Sequence, residues 1–265
     1  MGLSVGVWII MAGVGAIAGL LGIGGGFIMV PLLMDGLGMP MPISLGISSL
    51  AGLLIALVAS FVRQSSPNQR RLVFVRHAFV LGLGAAVFSY IGARLAPYVD
   101  ILWIRILFVC LLSYLIFRSI STMRFQESEQ GPLNHVWNLR AVSAGVIIIP
   151  VIGLMSGLLA VGGGVFYVPL LYGVLGLSIQ EASATSSLAV ILTTAGSVIG
   201  MVPILRTVDS SFLHQSLFAC VLGAGFGTFF GYRIPNRFLA GLAVVMQSGV
   251  LINHLVKIII SLIKS

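Results

Sequence analysis

Polar residues are sparse along this chain and fall in clusters. They leave apolar runs at roughly 2–38, 43–62, 73–93, 101–119, 141–177, 183–202, 212–231 and 239–260. About 20 apolar residues suffice for a helix to cross the hydrocarbon core of a bilayer. The runs lack the two-residue alternation of a transmembrane strand, so spanning helices are expected and a β-barrel is not. The first and fifth runs are nearly twice the required length, and each is expected to hold two helical pieces. The pattern predicts an all-α polytopic membrane protein.

The two long runs are copies of one segment. Gly15 to Ala51 aligns without a gap on Gly153 to Ala189 at a shift of 138, with 17 of 37 positions identical. The identities include Gly15/Gly153, Gly19/Gly157, Gly24-Gly25-Gly26/Gly162-Gly163-Gly164, Pro31/Pro169 and a Ser-Ser-Leu-Ala run starting at Ser48 and Ser186. Weaker echoes follow at a shift of 139, Gly92-Ala93-Arg94 against Gly231-Tyr232-Arg233. Two homologous repeats are expected, residues 1–119 and 140–265, joined by a polar linker over 120–139. Each repeat would hold a glycine-broken segment and about three further spans.

Charge adds orientation. Arg63, Arg70, Arg71 and Arg76 share a loop without an acid, whereas the corresponding loop carries Arg206 with Asp209. The next pair reverses the bias, with Arg233 and Arg237 alone against Arg94 and Arg105 with Asp100. Positive residues mark cytoplasmic loops, so the two repeats are expected to be inverted relative to each other rather than parallel.

Composition agrees with a membrane protein. Charged residues are 8% of the chain, hydrophobic residues 58%, and mean hydropathy is +1.15. The net charge of +8 resides in short loops rather than along one soluble face, so nucleic-acid binding is not expected. Cys110 and Cys220 lack metal or redox spacing and read as small buried hydrophobes, and no cofactor or metal is expected. The amino-terminal MGLSVGVWII has no basic region before it and reads as a first span rather than a cleaved signal.

Candidate chemistry centres on the two glycine triplets. Each glycine weakens a helix by up to about 1 kcal/mol relative to alanine, so three in succession mark a break. Unwound backbone at membrane depth is tolerated only inside protein or beside a polar cavity. The helix after each triplet would present free N–H groups and the positive end of its dipole, a setting suited to an anion. Gly24, Gly25, Gly26, Gly162, Gly163 and Gly164 are therefore candidate substrate-binding residues. Gly15, Gly19, Gly153 and Gly157 have the spacing of helix packing instead. Pro31 and Pro169 are expected to kink the helix that follows each break.

Ser48, Ser49, Thr185, Ser186 and Ser187 offer hydroxyls, to an oxyanion or to neighbouring helices in equal measure. Arg94 and Arg233 sit at matched helix ends, as interface anchors or as attractors of an anion into the vestibule. His77, His214, His254 and Asn253 could serve a proton pathway, but no pairing is visible in the sequence and they read rather as loop or interface residues. None of the acids, Asp35, Asp100, Glu127, Glu129, Glu181 and Asp209, falls in mid-span, which argues against a cation carrier. Glu181 is the acid best placed for proton coupling, although its position reads as a surface loop.

At these residues the chain resembles the TauE/SafE family of membrane permeases, also called the sulfite exporter family. The likeness rests on GxGGGxxxVPxL at Gly22 to Leu33, on its counterpart at Ala160 to Leu171, on Ala184-Thr185-Ser186-Ser187-Leu188, and on the Gly-Ala-Arg and Gly-Tyr-Arg matches. Ala160 replaces the first glycine in the second copy, and the first Ser-rich run reads Gly46-Ile47-Ser48-Ser49. The resemblance implies a multi-pass carrier in the bacterial inner membrane that exports sulfite, sulfoacetate or a related organosulfonate and is not an enzyme. Its expected partners are a small anion and the bilayer, with a homo-oligomer open. A channel, or a carrier of another small anion or neutral solute, is the alternative.

Overall fold

A computed structural model describes residues 5–21, 25–65, 74–125, 139–173, 179–231, 234 and 236–264. They form α1 (Val5–Leu21), α2 (Gly26–Pro31), α3 (Met41–Gln64), α4 (Val75–Leu95) and α5 (Ile101–Phe125) in the first half. The second half supplies α6 (Leu139–Leu159), α7 (Gly164–Gly173), α8 (Ile179–Leu205), α9 (Ser210–Gly231) and α10 (Asn236–Lys264). No strand occurs among the described residues. Both long runs are split in two, α1 from α2 and α6 from α7, as their length demands. α5 continues through residue 125, into the segment expected to link the repeats.

Sequence signals set the ends of several helices. The Asp100 carboxylate accepts from the Leu102 amide at 2.7 Å, and that of Asp209 accepts from Ser211 at 3.2 Å, so two of the loop acids cap α5 and α9. Pro31 ends α2, and the chain widens into a π-turn over Leu32–Gly36. Among the described residues, five segments are long and apolar enough to cross a membrane: Met41–Val62, Val75–Tyr98, Thr185–Leu205, Ser210–Gly231 and Val244–Ser261. Large apolar side chains such as Phe61, Trp103, Phe117, Phe226 and Ile252 cover the outside, as lipid contact requires.

The principal helix contacts join the two halves. α1 packs along α9, and α6 along α4; α3 packs on α8, and α5 on α10. The α1/α9 and α4/α6 seams are lined by small residues. A Cβ at Gly15 would fall on the Cys220 carbonyl, one at Gly19 on that of Ala224, one at Gly153 on that of Ala85, and one at Gly157 on that of Ser89. The helices can lie this close because these positions carry no side chain. Pairings advance together along both seams, so each pair is parallel. α3 and α8 run antiparallel, with Gly46 beside Leu205 and Ser49 hydrogen-bonded to Ser197.

Gly15→Leu and Gly157→Leu are therefore expected to destabilise the protein by about 1–3 kcal/mol or more through overpacking. Gly13→Leu, on the exposed side of α1 with nothing within 4 Å of its Cβ, is expected to change stability by less than about 0.5 kcal/mol. Thermal unfolding in detergent compares the three variants, and equal losses would exclude close packing as the role of these glycines.

Candidate functional site

The two breaks fold alike. Gly25 takes a left-handed conformation at φ 66°, and its carbonyl accepts from Ile28 and Met29 at 3.1 and 3.0 Å to start α2. Gly163, 138 residues later, has φ 74°, and its carbonyl accepts from Phe166 and Tyr167 at 2.9 and 3.1 Å to start α7. Such φ values suit glycine and cost an L-residue about 1–2 kcal/mol. Gly162 (φ 82°) is also left-handed, and so is Ala160 (φ 55°), a non-glycine residue at the position that Gly22 holds in the first copy. The amides of Gly26 and Phe27, and of Gly164 and Val165, precede the first intrahelical acceptor, so neither pair has a partner within its own helix.

The breaks also meet. A Cβ on Gly26 would overlap the Ala160 carbonyl and lie 2.7 Å from Val161 Cα, so the start of α2 rests on the unwound backbone leading into α7. Ser48 on α3 donates to the Ala160 carbonyl at 3.2 Å. A peptide group freed from its helix in an apolar interior needs a partner, and this hydroxyl provides it. Gly26, Phe27, Ala160, Val161 and Gly162 to Gly164 are all buried.

The remaining hydroxyls spread around this junction. Ser49 bonds to Ser197 across the α3/α8 interface at 2.8 Å. Thr185 accepts from the Phe74 amide at 3.1 Å, at the start of α4. Ser186 and Ser187 are buried beside it on α8. Ser48 thus bonds to the unwound backbone and Ser49 to a neighbouring helix. Arg94 lies apart, exposed in the last turn of α4, its Nε donating to Tyr90 Oη at 3.4 Å and its guanidinium 5.7 Å from that ring. Gly24 and Arg233 lie outside the described residues.

Sequence reasoning missed two groups. Tyr167 of α7 hydrogen-bonds Thr193 of α8, and a Cβ on Gly162 would stand 2.9 Å from Thr194 Cγ2. With Ser197 and Ser49 they extend a line of buried hydroxyls away from the second break. Their first-half counterparts at a shift of 138 are Met29, Ile55, Ala56 and Ala59, so matching the copies discards them. Hydroxyl spacing within the run 183–202 was the available signal.

The second group corrects three expectations. Arg105, counted above with the loop charges, is buried on α5 and holds Asp35, half-buried on the π-turn that ends the α2 segment, at 2.7 and 3.2 Å with both Nη atoms. Asn253, expected in a loop or at an interface, donates to Asp35 Oδ2 at 2.8 Å. His254 is buried in α10, stacked on Phe108 at 4.9 Å. Sequence distance hides this cluster, since its members are separated by 70 and 218 residues. Cys110 is exposed rather than buried, whereas Cys220 packs against the Met11 carbonyl.

The description "Sulfite exporter TauE/SafE" matches residues 7–253, nearly the entire chain. No curated protein and no solved structure gives a match. The paired glycine breaks, apolar helices and full-length match lead to one conclusion: the chain belongs to the TauE/SafE sulfite exporter family of membrane transporters.

Proposed function

We propose that this protein is a secondary transporter that carries a small sulfur-containing anion, such as sulfite, sulfoacetate or a related organosulfonate, across the bacterial plasma membrane by alternating access. The contact of Gly26 with Ala160 and Val161 is the observation that carries the reading. Two helices begin at one buried junction with N–H groups unused inside either helix, and helix starts attract anions through both those donors and the helix dipole. Discontinuous helices meeting inside the protein are the usual architecture of secondary-transporter sites.

Gly24 to Gly26 and Gly162 to Gly164 bind substrate through backbone amides in this reading. Ser48 and Ser49 hold the break in shape, while Thr185, Ser186 and Ser187 offer further hydroxyls from α8. Arg94 and Arg233 act from the helix ends by drawing anions toward the protein.

The repeats are inverted on this reading, in keeping with the antiparallel crossing of the equivalent helices α3 and α8. The moving bodies are two bundles assembled from both halves rather than the halves themselves. One comprises α1, α3 and α9 and supports α2; the other comprises α4, α6 and α8 and supports α7. Sliding at the α3/α8 contact would open the buried junction to one side and then the other.

Counterflow in proteoliposomes with sulfite, sulfoacetate, taurine, thiosulfate, sulfate and chloride tests the function. Saturable exchange of one sulfur anion is expected; unitary currents without saturation would identify a channel, and inert behaviour with every solute would reject the reading. Gly25→Leu and Gly163→Leu are expected to abolish exchange while the protein still inserts and stays monodisperse, since a side chain at 2.6 Å from Ala18 Cβ or 3.1 Å from the Tyr167 ring reshapes the break. Normal flux in both variants would remove the glycines from the site. Ser48→Ala is expected to lower stability by about 1–3 kcal/mol, measured by thermal unfolding, because it orphans the Ala160 carbonyl.

A further inference from the structure

Among the described residues, one ionisable cluster lies largely inside the protein and is unused by the anion site: Asp35–Arg105–Asn253–His254. It has no counterpart in the repeat. Matching positions at a shift of 138 are Gly173 for Asp35, Ala243 for Arg105 and Ile116 for His254. Helix α10 is otherwise turned to lipid, exposing Val245, Ile252, Leu255, Val256, Ile259 and Ile260. It turns Gln247 and His254, two helical turns apart, into the protein, each 1% exposed. Ionisable groups inside a membrane protein face inward where they serve function.

Hydrogen bonding within the cluster is unbalanced. Asp35 receives both Nη atoms of Arg105 and the Asn253 amide. Arg105 Nη1 also approaches His254 Nδ1 at 3.5 Å. A guanidinium only donates, so Nδ1 is the acceptor and the neutral ring carries its hydrogen on Nε2. That atom is buried with no hydrogen-bond partner among the described residues. A proton added to His254 goes to the Nδ1 lone pair, which then repels Arg105 and is drawn to the Asp35 carboxylate. Protonation and the Arg105–His254 contact thus exclude one another.

Charges around the ring are few. Arg105 faces it from α5 and Asp35 from the π-turn after α2, while Lys257 of α10 acts on Asp35. α1, which also touches α10, has no titratable residue. The ion pair cancels, so proton uptake leaves the cluster with one net positive charge. Asp35 closes the short segment that begins at Gly25. A change in which cation holds Asp35 therefore acts on the same segment as the substrate-binding break.

We propose that Asp35, Arg105 and His254 form a proton-binding site that couples proton uptake at His254 Nδ1 to movement of α2 and so to anion transport. This rests on the transport reading above, with the coupling ion named as the proton.

Two measurements test it. Isotope-labelled histidine is followed by NMR in the full-length protein in bilayers, with the other histidines of the four replaced to assign the signal. As the pH is lowered, the His254 signal is expected to move from the neutral to the imidazolium form. In Asp35→Asn its midpoint is expected to fall by about one pH unit or more, as loss of an adjacent carboxylate implies. A ring that stays neutral throughout, or a midpoint unmoved in Asp35→Asn, would overturn the proposal. In proteoliposomes with the membrane potential clamped at zero, a one-unit pH gradient supports up to about tenfold accumulation of sulfoacetate at one proton per anion. His254→Gln is expected to bring the ratio of gradient-driven uptake to counterflow down to about one; a ratio equal to wild type would refute coupling. If wild type moves no sulfoacetate, the anion reading fails for that probe and the titrations alone decide the proton site. They decide it equally if His254→Gln does not insert.

Discussion

Everything in this fold answers to one constraint: peptide groups without a helical partner cannot face lipid. Two glycine-bearing breaks interrupt two helices in the apolar body of the chain, and each exposes N–H and C=O groups that need a protein environment. The structure meets that need by putting the breaks together. Gly26 lies directly against Ala160 and Val161, and Ser48 supplies the hydrogen bond that the Ala160 carbonyl lost when the helix unwound.

The surrounding helices follow from this. For the breaks to meet in the interior, helices of both halves must enclose them, and the close α1/α9 and α4/α6 seams accomplish it. There the driving force is van der Waals contact between backbones rather than exclusion of water, since lipid tails are as apolar as the helix surfaces. Glycine is used for two distinct purposes: at Gly15, Gly19, Gly153 and Gly157 to let helices approach, and at Gly25, Gly162 and Gly163 to take a left-handed turn. Membership of the TauE/SafE family gives this architecture a transport context.

The two halves also depart from symmetry. The duplication provides matched helix starts, but the Tyr167–Thr193 pair, Ser197 and the Asp35–Arg105 ion pair each occur in one half only. A buried ion pair contributes little net stability, because desolvation offsets most of its Coulombic gain. Its presence at the far end of the segment that starts at the first break therefore points to a role other than holding the fold together.

Much of the molecule was legible in order along the chain. Run lengths predicted helices and the splitting of the two long segments, triplets located both breaks, and small-residue spacing anticipated the seams, because each depends on neighbours within a few turns. Tertiary structure alone decided that the halves interleave, that Ser48 turns to a backbone carbonyl, and that Asp35 meets Arg105 and Asn253. Those outcomes join residues from 70 to 218 positions apart, and no local period encodes such a distance. A charged residue near the end of an apolar run looks the same in sequence whether it reaches water or a buried partner; only the packing of a third helix against it makes the difference.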